Sequence, residues 1–288
     1  MNCSNPYAHP NGALFNCGQC FFCRLQRRNL WTHRLMLESM CHKSSVFLTL
    51  TYNEENYPQD QSVSVREYQL YLKRLRKELG RPVRYFFVGE YGSKTYRAHY
   101  HAMLFGVDQV QDLDALHKCW LKGNIYVGEV NKHTCQYIAG YVCKKLVDKH
   151  NPILKDRAPE FSRMSLKPGI GANYVPSIAD HLTTESGSWY LAENNDVPSI
   201  LNHGSRSYPL GRYLKSKLRE ELNVTPSDQK LQDFKKELLF LQENANVDYP
   251  KKTNIFKSKK EAFLVTTEGK RQSIKVRYSI FSKKRDSL

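Results

Sequence analysis

Hydrophobic and polar positions alternate between two periods along the first half of the chain. Val46–Tyr52 (VFLTLTY) is apolar and β-branched and predicts a buried strand. Val65, Tyr68, Leu72, Leu75 and Leu79 then recur at helical spacing. Ser64 and Glu67 read as a capping box ahead of them, and Gly80 and Pro82 stop the helix. Val83–Glu90 (VRYFFVGE) predicts a second strand and, after a loop, His99–Gly106 (HYHAMLFG) a third. Asp112–Lys122 suits a short helix, Asn124–Val130 (NIYVGEV) a fourth strand, and Lys132–His150 a helix ended by Asn151-Pro152. Upstream, Met1–Cys23 is rich in Cys, Asn, Pro and Gly and reads as a loop-built knuckle. Leu25–His42 follows as a helix with Leu30, Leu35 and Met36 on its apolar side. Beyond Pro152 the pattern weakens. Pro159–Pro176, which includes KPGIGANY, reads as loop, and Leu210–Leu222 as a basic helix. Thr225-Pro226 caps a further helix carrying Leu231, Phe234, Leu238 and Leu241.

The order strand, helix, strand, strand, helix, strand, helix is the split βαβ (βαββαβ) pattern of ferredoxin-like sheets, so the expected class is α+β. Three regions are expected: a Cys-rich knuckle and helix over 1–42, a catalytic domain over 43–180, and a helical, basic region over 181–288. There is no internal repeat and no long low-complexity linker.

Charge narrows the choice of partner. Forty-four Lys and Arg face 28 Asp and Glu, a formal net charge of +16, with a pI near 9.4. A polyanion is the natural partner, nucleic acid ahead of a membrane surface. Lys251–Leu288 holds nine Lys and three Arg against two Glu and one Asp, a net +9. That tail either holds DNA through its phosphates, recruits a host helicase or polymerase, or is a solvated basic end. No long apolar run is present to span a bilayer. The first residues lack the basic and apolar regions of a signal peptide, so the eight cysteines are expected to be reduced.

Three groups of residues carry candidate chemistry. Alternate residues of a strand share a face, so His99 and His101 point together and can clasp one divalent metal, whereas a lone strand histidine is usually just a core residue. Glu90 ends the preceding strand and reaches the same face if the two strands pair as a hairpin. Two His and one carboxylate leave coordination positions open, and Mg2+ or Mn2+ would suit a phosphodiester. Tyr137 and Tyr141 lie one helical turn apart, with Gly140 between them and Lys144 continuing the face. Read alone, they would be core tyrosines. Read with a metal site, they are candidate nucleophiles beside a lysine able to hold a phosphate. Cys17, Cys20 and Cys23 place three thiols in seven residues, and Cys3 or His9 would complete a tetrahedral zinc site. An iron–sulfur cluster and plain buried thiols are the rivals. Cys41, Cys119, Cys135 and Cys143 are scattered and read as small apolar residues.

FLTLTY, GEYG with HYHAMLFG, and YIAGYVCKK resemble in order the three motifs of HUH endonucleases. The tyrosine pair and CGQCFFCRLQRR are similar to the replication initiators of microviruses, especially the gokushovirus type. The likeness covers Cys3 to Tyr174. It implies metal ligation by His99 and His101 with Glu90 as third ligand, and nucleophilic Tyr137 and Tyr141. It further implies origin nicking on single-stranded and supercoiled double-stranded DNA, 5′-phosphotyrosyl attachment, and circularisation of displaced strands in the host bacterial cytoplasm. Two rival functions remain. A non-enzymatic nucleic-acid binder of RNA-recognition type needs stacking aromatics where the third strand has histidines. A zinc-dependent DNA-binding regulator built on the knuckle leaves the His and Tyr pairs unexplained.

Overall fold

In the computed structural model, which describes residues 2–9, 14–92, 95–143, 154–225 and 259–283, the long apolar runs become strands of one antiparallel sheet. A short hairpin, β1 (Tyr7–Ala8) and β2 (Leu14–Phe15), comes first, then helix α1 (Phe21–Met40). There follow β3 (Ser45–Thr51), α2 (Val65–Leu79), β4 (Arg84–Tyr91), β5 (Ala98–Phe105), α3 (Leu113–Cys119), β6 (Ile125–Glu129), α4 (Lys132–Tyr141) and β7 (Phe161–Met164). Then come α5 (Val175–Leu182), α6 (Glu185–Asn194), a hairpin of β8 (Ile200–His203) and β9 (Arg206–Pro209), and α7 (Gly211–Leu222). Two more helices cover Lys259–Thr266 and Glu268–Lys283. The chain forms two compact units. The larger is Arg27–Thr225; the smaller draws on the first 26 residues and on the chain from Pro226 onward.

The class is α+β. The sheet runs β6-β3-β5-β4-β7 with every neighbour antiparallel. β3 and β4, linked through α2, are therefore parallel to one another with β5 between them, and β5 and β6, linked through α3, enclose β3. The central strands are buried on both sides. Leu48, Leu50, Phe87, Tyr100 and Leu104 pack under Tyr68, Tyr71, Leu72 and Leu75 of α2 and Leu116 of α3. The intervening residues, Phe47, Phe86, Val88, Met103 and Phe105, face Leu35 of α1 and Cys135, Ile138 and Ala139 of α4. A third cluster joins Leu37 of α1 to α5 and α7 through Val175, Ile178, Leu182, Leu214 and Leu218.

Several expectations need correction. Ser64 stands at the N-cap of α2, yet its side chain makes no capping bond. Its N–H donates instead to the Tyr100 hydroxyl at 2.8 Å. The complete capping box lies on α4, where Asn131 Oδ1 accepts from the Thr134 N–H and Thr134 Oγ1 accepts from the Asn131 N–H. The segment read as loop contains β7, an edge strand pairing Phe86–Gly89 of β4, and the short helical turn Ala172–Tyr174 leading into α5. Four residues without alternation, FSRM, carry too little pattern to announce a strand. The β8–β9 hairpin and α6 were not expected either. The helix expected behind Thr225-Pro226 and the end of the one expected over Lys132–His150 lie outside the described residues.

A buried carboxylate anchors the glycine-rich turn. Glu38 on α1 receives Arg84, His42 and the N–H of Gly171. These donors overcome the cost of burial and hold its pKa near 2. Gly171 is needed there. Its φ is +84°, and an added Cβ would sit 3.0 Å from the Arg34 carbonyl oxygen.

His33 on α1 is fully buried. Its Nδ1 donates to the Pro209 carbonyl at 2.8 Å, so its Nε2 accepts from His203 Nε2 at 2.9 Å. Burial lowers its pKa from 6.5 to about 4, although the Pro209 carbonyl favours the charged form. An unfolded chain thus takes up this proton at a higher pH than the folded one. The stability it contributes is complete above about pH 6.5 and is lost as pH falls toward about 4, a difference on the order of 3 kcal/mol at most. Urea unfolding at pH 7, 5.5 and 4.5 should show this decline, and His33→Gln should flatten it while lowering stability at pH 7. An unchanged slope in the variant would refute the assignment.

Candidate active site

Strand register builds the site. β4 and β5 pair so that Glu90 stands opposite His99, and β3 and β5 so that Thr49 stands opposite His101. Directly opposed residues point to the same face. Tyr100, between the histidines, points the other way and is fully buried, its hydroxyl 2.7 Å from that of Tyr52. The histidine face therefore offers no stacking aromatic from the middle of β5. The loop between β4 and β5 closes with the Gly92 N–H donating to the Arg97 carbonyl at 3.1 Å. That same carbonyl orients the first histidine.

His99 Nδ1 lies 3.0 Å from the Arg97 carbonyl oxygen. A carbonyl only accepts, so Nδ1 carries the proton and Nε2 of the neutral ring presents a lone pair. That nitrogen faces Glu90 Oε1 at 2.8 Å. His101 Nδ1 is 3.0 Å from Thr49 Oγ1, and its Nε2 is 3.1 Å from the same Glu90 oxygen. Glu90 and His101 are almost completely buried. Lone pairs converging on one another in a buried site call for a cation, either a proton or a metal. Ligands cis to one another on an octahedral ion with bonds of about 2.1 Å stand about 3.0 Å apart. The observed 2.8 and 3.1 Å match that spacing. The three donor atoms lie within 4.8 Å of one another. Two imidazoles and one carboxylate suit a divalent ion with positions left for substrate.

Helix α4 brings both tyrosines to this point. The Tyr137 hydroxyl is 3.2 Å from His101 Nε2. The Tyr141 ring lies near-parallel to the His101 ring at 5.2 Å, and the two phenol rings meet edge to face at 5.1 Å. They are not equivalent. Tyr137 is exposed, whereas Tyr141 is half-buried. Burial pushes the Tyr141 phenol well above its usual range, and the charge of Glu90 adds to the effect. Phe47 lies near-parallel to the His101 ring at 5.6 Å and edge-on to Tyr137 at 6.0 Å.

Glu90, His99, His101, Tyr137 and Tyr141 thus share one place. Lys144 lies outside the described residues. Gly140 does not serve a close approach, since an added Cβ would meet only Arg28 Cδ, at an ordinary 3.9 Å. The sequence reading missed Thr49, although FLTLTY carried the signal: its threonines interrupt the apolar run with period two. Cys3, Cys17, Cys20 and Cys23 are also gathered, in the smaller unit, with His9 elsewhere against Phe15.

The comparisons with known proteins agree on one family. The family model of the replication-associated protein ORF2 matches residues 45–146, which hold all five site residues. The chain is 27% identical to the replication-associated protein VP4 of Bdellovibrio phage phiMH2K over 267 residues, 82% of each chain. It is 30% identical to the replication-associated protein ORF2 of Spiroplasma virus 4 over 195 residues, 59% of each. With the replication-associated protein ORF4 of Chlamydia phage 1 it shares 24% over 226 residues, 71% of this chain and 53% of that one. No solved structure is similar to the chain.

Thr49→Val keeps the shape of the side chain and removes the partner of His101 Nδ1. Divalent-metal affinity should fall by about 10- to 100-fold, as when the support of a ligating histidine is lost. Titration calorimetry with Mn2+ measures it, and Thr49→Ser should restore it. Wild-type affinity in Thr49→Val would remove Thr49 from the site.

Proposed function

We propose, for a chain that belongs to the microvirus-type replication-associated proteins, that it initiates rolling-circle replication by cutting and rejoining DNA through its two tyrosines. The observation that carries this reading is the convergence of both phenols on the histidine whose Nε2 also faces Glu90. A core pair of tyrosines would have no reason to meet a buried His-Glu cluster. The strand order supports the ferredoxin-like topology of HUH endonucleases, in which a histidine strand lies beneath a tyrosine helix.

In this proposal Glu90, His99 and His101 hold Mg2+ or Mn2+. The ion would polarise the scissile phosphate and offset the charge that builds on its oxygens. The protein's own groups do the rest. The Arg97 carbonyl and Thr49 fix the two imidazole rings, so the Nε2 atoms stay turned toward Glu90. Tyr137, the more exposed phenol, is placed to attack first. Its oxygen bonds to phosphorus, the phenolic proton goes to base, and the bond to the 3′ oxygen breaks. The 5′ end is then held as a phosphotyrosine and a 3′-OH is released for synthesis. The ester keeps the free energy of the broken phosphodiester, so a 3′-OH can later displace the phenol and close a strand without another energy source.

Two cleavages are required, one to begin and one to release the finished strand. Once one tyrosine carries DNA, a second nucleophile is needed. Tyr141, one helical turn on, supplies it. Its burial and raised pKa keep it protonated and unreactive until its surroundings change. Origin DNA, single-stranded or supercoiled, is the substrate, and the net charge of +16 favours its phosphates. Host helicase and polymerase are the proposed partners in synthesis. Among the described residues no helix is long and apolar enough to cross a membrane, and the host cytoplasm is the proposed place of action.

The test uses labelled single-stranded DNA tiling the circular genome that encodes the chain, with Mg2+ or Mn2+, and follows adducts that survive denaturing gels. One tile should give an adduct. Tyr137→Phe and Tyr141→Phe should each keep some nicking, and the double variant should keep none. Neither single variant should release circles from a supercoiled origin plasmid. An adduct formed by the double variant, or no adduct on any tile, would overturn the proposal.

A further inference from the structure

The smaller unit poses a problem of stability. Among its described residues, the buried apolar side chains are Cys3, Phe22 and Cys23 alone. Its hairpin has two residues in each strand, and Tyr7 and Phe15 on it are exposed. Phe21 packs edge-on against Tyr278 at 5.0 Å, and Asn5 accepts from Lys260 Nζ at 3.0 Å. So little apolar burial does not order a unit of this size without a covalent or metal staple.

Four cysteines stand where such a staple would be. The Sγ atoms of Cys3, Cys17, Cys20 and Cys23 lie within 4.8 Å of one another. Cys17 and Cys23 are 4.0 Å apart, and Cys3 and Cys20 are 3.8 Å apart. All are free thiols. A disulfide would need about 2.0 Å. A tetrahedron with metal–sulfur bonds of about 2.3 Å has edges of about 3.8 Å, close to the observed separations. An iron–sulfur cluster spaces its cysteines around the outside of an iron–sulfide core and would hold the sulfurs farther apart. Backbone N–H groups also point at the sulfurs. Cys17 donates to Cys3 Sγ at 3.3 Å, Cys20 to Cys17 Sγ at 3.3 Å, and Ser4 to Cys20 Sγ at 3.5 Å. N–H donors on sulfur support negative charge there, as thiolate ligands require.

We propose that Cys3, Cys17, Cys20 and Cys23 bind one structural Zn2+ that holds the smaller unit together. Four soft thiolates select zinc over Mg2+ or Mn2+, and a closed set of four leaves no position for substrate. Binding displaces thiol protons to solvent and changes no oxidation state. The ion ties residue 3 to the first turn of α1, where Cys23 lies. The proposal is independent of the histidine site.

Elemental analysis of the full chain should find about one zinc per molecule. Zinc-edge X-ray absorption should show sulfur alone at about 2.3 Å. The Cys20→Ser and Cys23→Ser variants should lower the zinc content, while the His99→Ala/His101→Ala double variant should keep it. A zinc-selective chelator, used with Mg2+ in excess, should expose residues 2–26 and 259–283 to limited proteolysis and spare residues 27–225. Nitrogen or oxygen around the zinc, an iron chromophore, disulfides by mass, or unchanged proteolysis after zinc removal would each overturn the proposal.

Discussion

A strand buried on both sides must send alternate side chains to two different neighbours, and β5 is that strand. Its even-numbered residues, Tyr100, Ala102 and Leu104, complete the core beneath α2 and α3. Its odd-numbered residues therefore face α1 and α4, and the first two of them are histidines. The register on both flanks then decides everything about the site. A slip of one residue between β4 and β5 would turn Glu90 into the opposite core and leave the histidines facing a glycine or a tyrosine. The same slip would drive Tyr100 and Leu104 out of the larger cluster, so packing enforces the geometry that the chemistry uses.

The electrostatics follow from that enforced meeting. Glu90 is buried with its carboxylate oxygen close to two imidazole nitrogens, one of which must present a lone pair. An arrangement of this kind is costly unless a cation completes it, and a protein does not ordinarily bury it for stability alone. Glu38 shows the structural alternative in the same chain. That carboxylate is equally buried, yet every group around it is a donor, and it ties α1 to the turn at Gly171. The contrast between a carboxylate surrounded by donors and one surrounded by lone pairs separates the scaffold from the site.

Much of this was legible in the sequence. The strands at 46–52, 83–90 and 99–106 carry their own hydrophobic signatures, and the His-x-His spacing survives any small error in strand boundaries. The Tyr137–Tyr141 pair rests on the helical period alone. Glu90 depended on the length of the loop after it, and only pairing of the two strands fixed it opposite His99. Thr49 was visible as an interruption in FLTLTY, but its role needs the register of a strand some fifty positions away. Ser64 shows the limit of local rules: its motif was right for a cap, and a buried tyrosine hydroxyl took the N–H instead. β7 and the β8–β9 hairpin were illegible because four-residue strands hold too few alternations, and their apolar partners come from elsewhere in the chain. The cysteine spacing identified three of the gathered thiols; the choice between Cys3 and His9 required the fold.

The central claim is that Glu90, His99 and His101 form one divalent-cation site beside two phenols. Electron spin echo spectroscopy of the protein loaded with one equivalent of Mn2+ tests it most directly. The account predicts a bound ion with nitrogen couplings from two imidazoles, one of them lost in His99→Ala and both lost in the His99→Ala/His101→Ala double variant. Mn2+ that binds without imidazole coupling, or that keeps its coupling in the double variant, would contradict it.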